Sequence, residues 1–218
     1  MSVLKAQAKD EFRSWSRSYD RSVLQFLLFD PSHKLIVEEL GASDVLANGH
    51  EAHILDIGCG TGKLMHRLVA RHDKARVFGI DLSESMLRAA QPHVVCQQRV
   101  HMSVADSEHL PFATGAFDFV TCSNSFHHYP NQPAALAEMR RVLKPGGELF
   151  LTDGYRDNWF GWLIYDLAVT RCEGGNVHHA SAEELREMFV ACGFEEVRQQ
   201  IVRFPAPFVL TSGRARKD

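Results

Sequence analysis

The chain has no run of residues long and apolar enough to span a bilayer, and its first positions carry Lys5, Lys9, Asp10 and Glu11 where a secretory leader would need an apolar stretch. Neither a membrane span nor a signal peptide is expected, and the chain reads as cytoplasmic. Positive charge is not in excess either, since 24 Lys and Arg stand against 27 Asp and Glu for a net charge of -3. A polyanion partner needs a broad basic field, so nucleic acid is not an expected partner. The basic end Arg214, Arg216, Lys217 is short and reads as a solvated tail. Cys59, Cys96, Cys122, Cys172 and Cys192 are odd in number and show no C-x-x-C spacing, which points to free thiols in a reducing compartment. Structural zinc needs clustered ligands, and the pairs His127/His128 and His178/His179 have no cysteine pairs to match, so no metal is expected from the sequence.

What is present is the composition of a globular chain, 45% hydrophobic and 23% charged over 218 residues, a length that one core can fill. Residues 1–218 are expected to form one domain in four stretches: N-terminal helices over 1–50, a strand-helix core over 53–153, an insertion over 154–180, and a closing helix and hairpin over 181–218. Phe12, Trp15, Tyr19, Val23 and Phe26 recur at helical spacing, and Asp30-Pro31 reads as an N-cap with proline at the first helical position, with Gly41 as the stop. From residue 53 short apolar runs alternate with helical segments, the pattern of an α/β fold with a parallel sheet. HILDI, RVFGID, Val100 to Val104, FDFVTC and ELFLTD are its strands. Helices run from about Thr61 to His72, from the cap Ser83, and from Pro133 to the stop Lys144-Pro145-Gly146-Gly147. Ser181 to Glu184 spells a capping box, and EVRQQIVRF and FVLTSGRA read as a closing antiparallel hairpin.

The segment most telling about chemistry is ILDIGCGTGKL, Ile54 to Leu64: a strand, an acid, a glycine-rich turn, a helix. Such a turn lets backbone approach a ligand closely, with helical N–H groups behind it. Three nucleotide classes use this arrangement. A dinucleotide fingerprint counted from Gly58 needs its third glycine where Lys63 stands, and a phosphate loop needs a glycine where Ile57 stands and Ser or Thr where Leu64 follows Lys63. The remaining pattern is acid-x-G-x-G-x-G.

That pattern resembles motif I of the class I S-adenosylmethionine-dependent methyltransferases. The resemblance extends over roughly Ile54 to Asp153: GIDLS places Asp81 about 20 residues past the turn, where a carboxylate can accept ribose hydroxyls, and VADSEHLPF, FDFVTCSNSFHHY and MRRVLKPGGELFLTD look like later elements of the ubiquinone/menaquinone-biosynthesis (UbiE-like) group. It implies a Rossmann-like, mostly parallel seven-stranded sheet with a terminal antiparallel strand and helices on both faces, and S-adenosyl-L-methionine as cofactor. By motif position it implies that Asp56, Gly58 and Gly60 line the methionine part, that Asp81 and Leu82 hold the ribose, and that Asp106 and Ser107 meet the adenine.

A sulfonium methyl is already activated, so such an enzyme chiefly aligns a nucleophile in line and excludes water. A proton acceptor is needed only for a hydroxyl, ammonium or acidic carbon, and His127 and His128, just past the fourth strand, are the candidates. Either one alone also reads as a core or capping histidine. The acceptor side is expected from the N-terminal residues Trp15 and Tyr19 and from Tyr155, Trp159, Phe160, Trp162 and Tyr165 in the insertion, aromatics that read equally as a local core. The expected function is methyl transfer to a small-molecule acceptor; the alternative is a non-catalytic S-adenosylmethionine-binding or partner-binding module. A nucleic-acid methyltransferase is disfavoured because SNSFHHYP stands where an N/D-P-P-Y/F element would hold a flipped base.

Overall fold

The structure, a computed structural model, describes residues 29–94, 98–169, 177–203 and 206–217. Among the described residues the first two helices are α1 (Asp30–Gly41) and α2 (Asp44–Ala47), and the sheet begins at β1 (Ala52–Ile57). There follow α3 (Lys63–Arg71), β2 (Ala75–Asp81), α4 (Glu84–Val94), β3 (Val100–Val104) and β4 (Phe117–Ser123), a short 3-10 turn at Phe126–His128, α5 (Gln132–Val142) and β5 (Leu143–Gly154). The insertion holds α6 (Trp159–Trp162) and a π-helical stretch, Leu163–Val169, and the chain closes with α7 (Ala182–Ala191), β6 (Phe194–Val202) and β7 (Phe208–Ala215). Among the described residues no helix is long and apolar enough to cross a membrane.

Seven strands lie in one sheet in the order β3-β2-β1-β4-β5-β7-β6. The first five are parallel, and β7 runs antiparallel between β5 and β6. Strand periodicity divides the core into two layers. On one face Leu55, Ile57, Val120 and Leu149 pack with Leu136 and Met139 of α5 and Leu185 and Phe189 of α7. On the other, Ile54, Val77, Phe119 and Phe150 pack with Ile36 and Leu40 of α1 and Leu64, Met65 and Leu68 of α3. Chain order reverses between β1 and β4, which opens a crevice outside the carboxyl ends of those strands, where open α/β sheets bind ligands.

Local readings from sequence needed correction at three places. Helix α3 starts at Lys63 rather than Thr61, because Gly62 sits before it in a left-handed conformation and keeps the turn open for one more residue. The stop expected at Lys144-Pro145-Gly146-Gly147 lies inside β5 as an irregularity: Leu143 pairs with Phe117 and Glu148 with Phe119, and Lys144 Nζ reaches both Asp118 oxygens at 2.8 Å. Strand pairing and that ion pair outweigh the turn tendency of the glycines. Asp30 stands inside the first turn of α1 rather than capping it, and is paired with Arg67 and with Lys34 at 3.0 Å. An acid in that turn still complements the helix dipole. The capping box is formed as expected, Glu184 N donating to Ser181 Oγ and Ser181 N to Glu184 Oε2. The expected helix carrying Phe12 to Phe26 lies outside the described residues.

Candidate active site

Four of the five parallel strands deliver a carboxylate at or just beyond their carboxyl ends: Asp56 on β1, Asp81 on β2, Asp106 after β3, Asp153 on β5. Between β1 and α3 the backbone takes positive φ at Gly58 (70°) and Gly60 (52°). A Cβ at Gly58 would lie 2.4 Å from Ser125 Oγ, so space and conformation both demand glycine there; a Cβ at Gly60 would meet nothing within 4 Å, which leaves that side of the turn open to a ligand. Asp81 clasps the turn to β2: Gly60 N donates to its Oδ2 at 2.9 Å and Ser83 N to its Oδ1 at 2.8 Å. Each oxygen retains a second lone pair. Burial pushes the Asp81 carboxyl up, and these two N–H bonds oppose the shift.

Asp56 is buried beneath the turn. Its Oδ1 accepts from Thr121 Oγ1 at 2.8 Å, while its Oδ2 has no hydrogen-bond partner among the described residues. Burial foremost, and the like charge of Asp81, raise its carboxyl to about 7. Leu82, Asp106 and Ser107 are half-buried, and Asp106 Oδ1 accepts from Glu108 N at 3.0 Å in a turn closed by a bridge to His109.

Beyond β4 the chain turns sharply. Asn124 takes φ 51°, a conformation a non-glycine residue adopts when its surroundings enforce it, and here its side chain donates to Ser32 Oγ of α1 and Ser123 Oγ. The turn puts Ser125 Oγ 2.9 Å from Tyr129 Oη and 3.3 Å from Ile57 O, beneath Gly58. Two residues on, His127 is buried against the end of β5. Its Nδ1 lies 2.5 Å from Asp153 Oδ1 and its backbone N donates to Asp153 Oδ2 at 2.9 Å. Burial alone would push the Asp153 carboxyl up, but electrostatic attraction to the His127 ring N–H and the hydrogen bonds from His127 and Gly154 N hold it below the usual carboxylate range. An ionised carboxylate can only accept, so His127 carries its proton on Nδ1. His128 packs on His127 with ring centroids 4.2 Å apart, and its buried surroundings hold it well below the usual histidine range.

Comparison with known proteins fits this geometry. Residues 54–147 match a family described as a methyltransferase domain. The chain is 31% identical over 178 residues to a demethylmenaquinone methyltransferase of Lactiplantibacillus plantarum, covering 71% of this chain and 75% of that protein. It is 34% identical over 192 residues to a malonyl-[acyl-carrier protein] O-methyltransferase of Geobacter sulfurreducens, covering 85% and 71%. The chain is a class I S-adenosylmethionine-dependent methyltransferase. Its fold is shared with a methyltransferase solved in complex with the Haloferax volcanii Trm112 methyltransferase activator, with a TM-score of 0.78 at 21% identity over 97% of this chain and 98% of that one.

The methyltransferase's residues fit S-adenosylmethionine. A buried carboxylate oxygen without a partner suits the methionine ammonium, the open side of Gly60 leaves room for the ligand to lie on the turn, and the remaining lone pairs of Asp81 suit two hydroxyls. Sequence reasoning missed Asp153 and His179. Asp153 had a signal, as the acid closing a strand in the manner of Asp56 and Asp81; His179 had none, because only the fold brings it to His127. Of the insertion's aromatics, Tyr165 is buried and Tyr155 packs on the core, whereas Trp159 is 78% and Trp162 52% exposed. The cluster is therefore neither one local core nor one wall. Trp15 and Tyr19 lie outside the described residues.

Proposed function

We propose that the methyltransferase transfers a methyl group to a small-molecule acceptor by in-line displacement, with His127 as proton acceptor. The observation that carries this reading is the buried His127–Asp153 pair on the same sheet edge as the glycine turn, joined to it through Ser125 under Gly58. S-adenosylmethionine, when bound, supplies a methyl on a sulfonium, and the electron pair of the breaking bond leaves on a neutral thioether. Asp153 fixes the His127 tautomer with the proton on Nδ1, so Nε2 is the ring nitrogen whose lone pair would take the proton of an acceptor hydroxyl or acidic carbon. Burial lowers the dielectric around this pair and excludes competing water. His128 walls the acceptor side. Asp56, Gly58 and Gly60 hold the methionine part, Asp81 and Leu82 the ribose, and Asp106 and Ser107 the adenine.

The net charge of -3 and the buried setting of His127 favour a small acceptor over a nucleic acid. The named relatives act on demethylmenaquinone and on an acyl-carrier-protein-bound malonyl group, which supports a carbon or oxygen nucleophile near carbonyl groups. Incubation with methyl-labelled cofactor and separate pools of small hydroxylated or enolisable compounds, acyl carrier protein and transfer RNA is expected to label the small compounds. Label in either macromolecule overturns the acceptor class. Tight cofactor binding with no transfer to any pool favours the non-catalytic alternative.

Asp81→Ala is expected to weaken S-adenosylhomocysteine binding by about 10- to 100-fold, since a hydrogen bond to a charged group is worth roughly 1.5–3 kcal/mol. Titration calorimetry checks it, and an unchanged affinity removes Asp81 from the site.

A further inference from the structure

The sequence carries two histidine pairs far apart, and the fold takes one histidine from each and closes them on a single carboxylate. His127 comes from the turn after β4, Asp153 from the end of β5, and His179 from the segment entering α7. That segment is fastened in place: His178 N donates to His127 O at 2.9 Å, Gln132 Nε2 to His178 O at 2.9 Å, and Arg156 Nη1 to His179 O at 3.0 Å. The His179 ring lies over that of His127, centroids 4.3 Å apart, and its Nδ1 is 3.8 Å from Asp153 Oδ1, the oxygen His127 Nδ1 reaches at 2.5 Å. One donor atom from each of the three residues lies within 4.8 Å of the others. Both ring nitrogens of His179 are buried, and among the described residues neither has a hydrogen-bond partner. Three hydrogen bonds fix the backbone that carries this imidazole, yet both its nitrogens stay unmatched beside a carboxylate, and buried polar atoms of that kind call for a partner.

We propose that His127, Asp153 and His179 are the protein ligands of a site for one divalent cation of the zinc and cobalt(II) class. Two imidazole nitrogens and one carboxylate oxygen are the donor set such borderline ions take, and three protein ligands leave a position open for an exchangeable one. Magnesium or calcium would want oxygen donors throughout. Bonds of about 2.0–2.2 Å in a tetrahedral arrangement place neighbouring donor atoms about 3.3–3.6 Å apart. The observed 2.5 Å and 3.8 Å separations bracket that range. The cation takes the place of the proton between His127 and Asp153 and spreads them, and a turn of the His179 ring brings its nitrogen in. The His127 proton moves from Nδ1 to Nε2, the carboxylate stays ionised, and His179 binds through the lone pair of a neutral imidazole. The nearby guanidinium of Arg156 does not repel the ion unopposed, since it is paired with Asp166 at 2.6 Å. The loaded site and the proton-accepting role require opposite tautomers of His127, so an occupied site is closed to base catalysis; the binding itself does not depend on that role.

The test uses the full chain, stripped with a chelator and titrated with Co2+ in the absence of any acceptor, with the visible ligand-field bands as readout and Zn2+ as competitor. One Co2+ per chain is expected, with bands bleached by one equivalent of Zn2+ and an affinity at least about 10-fold weaker in His179→Gln. Unchanged S-adenosylhomocysteine affinity shows that this variant is folded; if it is not, Asp153→Asn carries the same comparison. His109→Ala, in the partly exposed group Asp106, Glu108 and His109, is expected to leave the bands as they are. Absence of the bands, bands that survive in His179→Gln, or bands lost in His109→Ala each overturn the proposal. Cofactor affinity is untouched by any of these results, so they are distinct from a failure of the methyl-transfer reading.

Discussion

Replacing His127 with alanine is expected to lower kcat toward a hydroxyl or acidic-carbon acceptor by about 10^2- to 10^4-fold, the range of a positioned proton acceptor, while leaving S-adenosylmethionine affinity within about threefold. The split follows from position. His127 sits at the ends of β4 and β5, whereas the turn and the carboxylates Asp56 and Asp81 belong to β1 and β2. Asp153→Asn should follow His127→Ala closely. An amide can present its NH2 to Nδ1 where the carboxylate could only accept, and that selects the tautomer with the lone pair on the wrong nitrogen. Because Asp153 also accepts from the backbone N–H groups of His127 and Gly154, the variant needs a folding control, for which the thermal midpoint with bound S-adenosylhomocysteine serves. Initial rates with a chelator present, alongside calorimetric cofactor affinities, make the measurement. Near-wild-type kcat in His127→Ala would remove the proton-acceptor role.

Much of this arrangement could be read before folding. The strand-helix alternation from residue 53 carries the parallel half of the sheet because its strands, buried on both faces, are apolar runs bounded by turn residues; FDFVTC and ELFLTD show this plainly. The glycine turn was legible for a different reason: three positive-φ positions in a row of alternate residues leave a pattern that few turns need. What failed was whatever depended on pairing between distant segments. Lys144 to Gly147 spells a stop, yet β4 recruits it into the sheet through Phe117 and Asp118. The order β5-β7-β6 is likewise invisible locally, because a hairpin reads the same whichever of its strands joins the sheet. The same holds at the site, where Asp56 and Asp81 follow from one motif, but the partnership of His127 with Asp153 and His179 spans 26 and 52 residues and exists only through the β4–β5 pairing and the docking of residue 178 on residue 127.

Asp56→Asn is expected to stabilise the cofactor-free methyltransferase above neutral pH and to weaken its hold on S-adenosylmethionine under the same conditions. The buried carboxyl of Asp56 is raised from 3.8 to about 7. Between those values the unfolded chain has released a proton that the folded chain retains, so the contribution of Asp56 to stability is highest in acid and falls as pH rises through this window. It levels off above about pH 7. At about 1.4 kcal/mol per pKa unit the loss across the window is about 4 kcal/mol. Asparagine has nothing to titrate, keeps an oxygen to accept from Thr121 Oγ1, and is free of the repulsion from Asp81. Its advantage should therefore be small near pH 4 and several kcal/mol near pH 8. Cofactor binding runs the other way. An ionised Asp56 is what a methionine ammonium requires, so wild-type affinity should climb through about pH 7 and decline again as the α-amino group, which ordinarily titrates at about 7.7–8.0, loses its proton. The rising limb should be missing in Asp56→Asn. Urea midpoints of both proteins at about pH 5 and about pH 8, with calorimetric affinities across the same interval, check both halves. If the stability difference is the same at the two pH values, Asp56 does not titrate as a buried acid near neutrality; if both proteins show the same rising limb in affinity, another group, not Asp56, receives the ammonium.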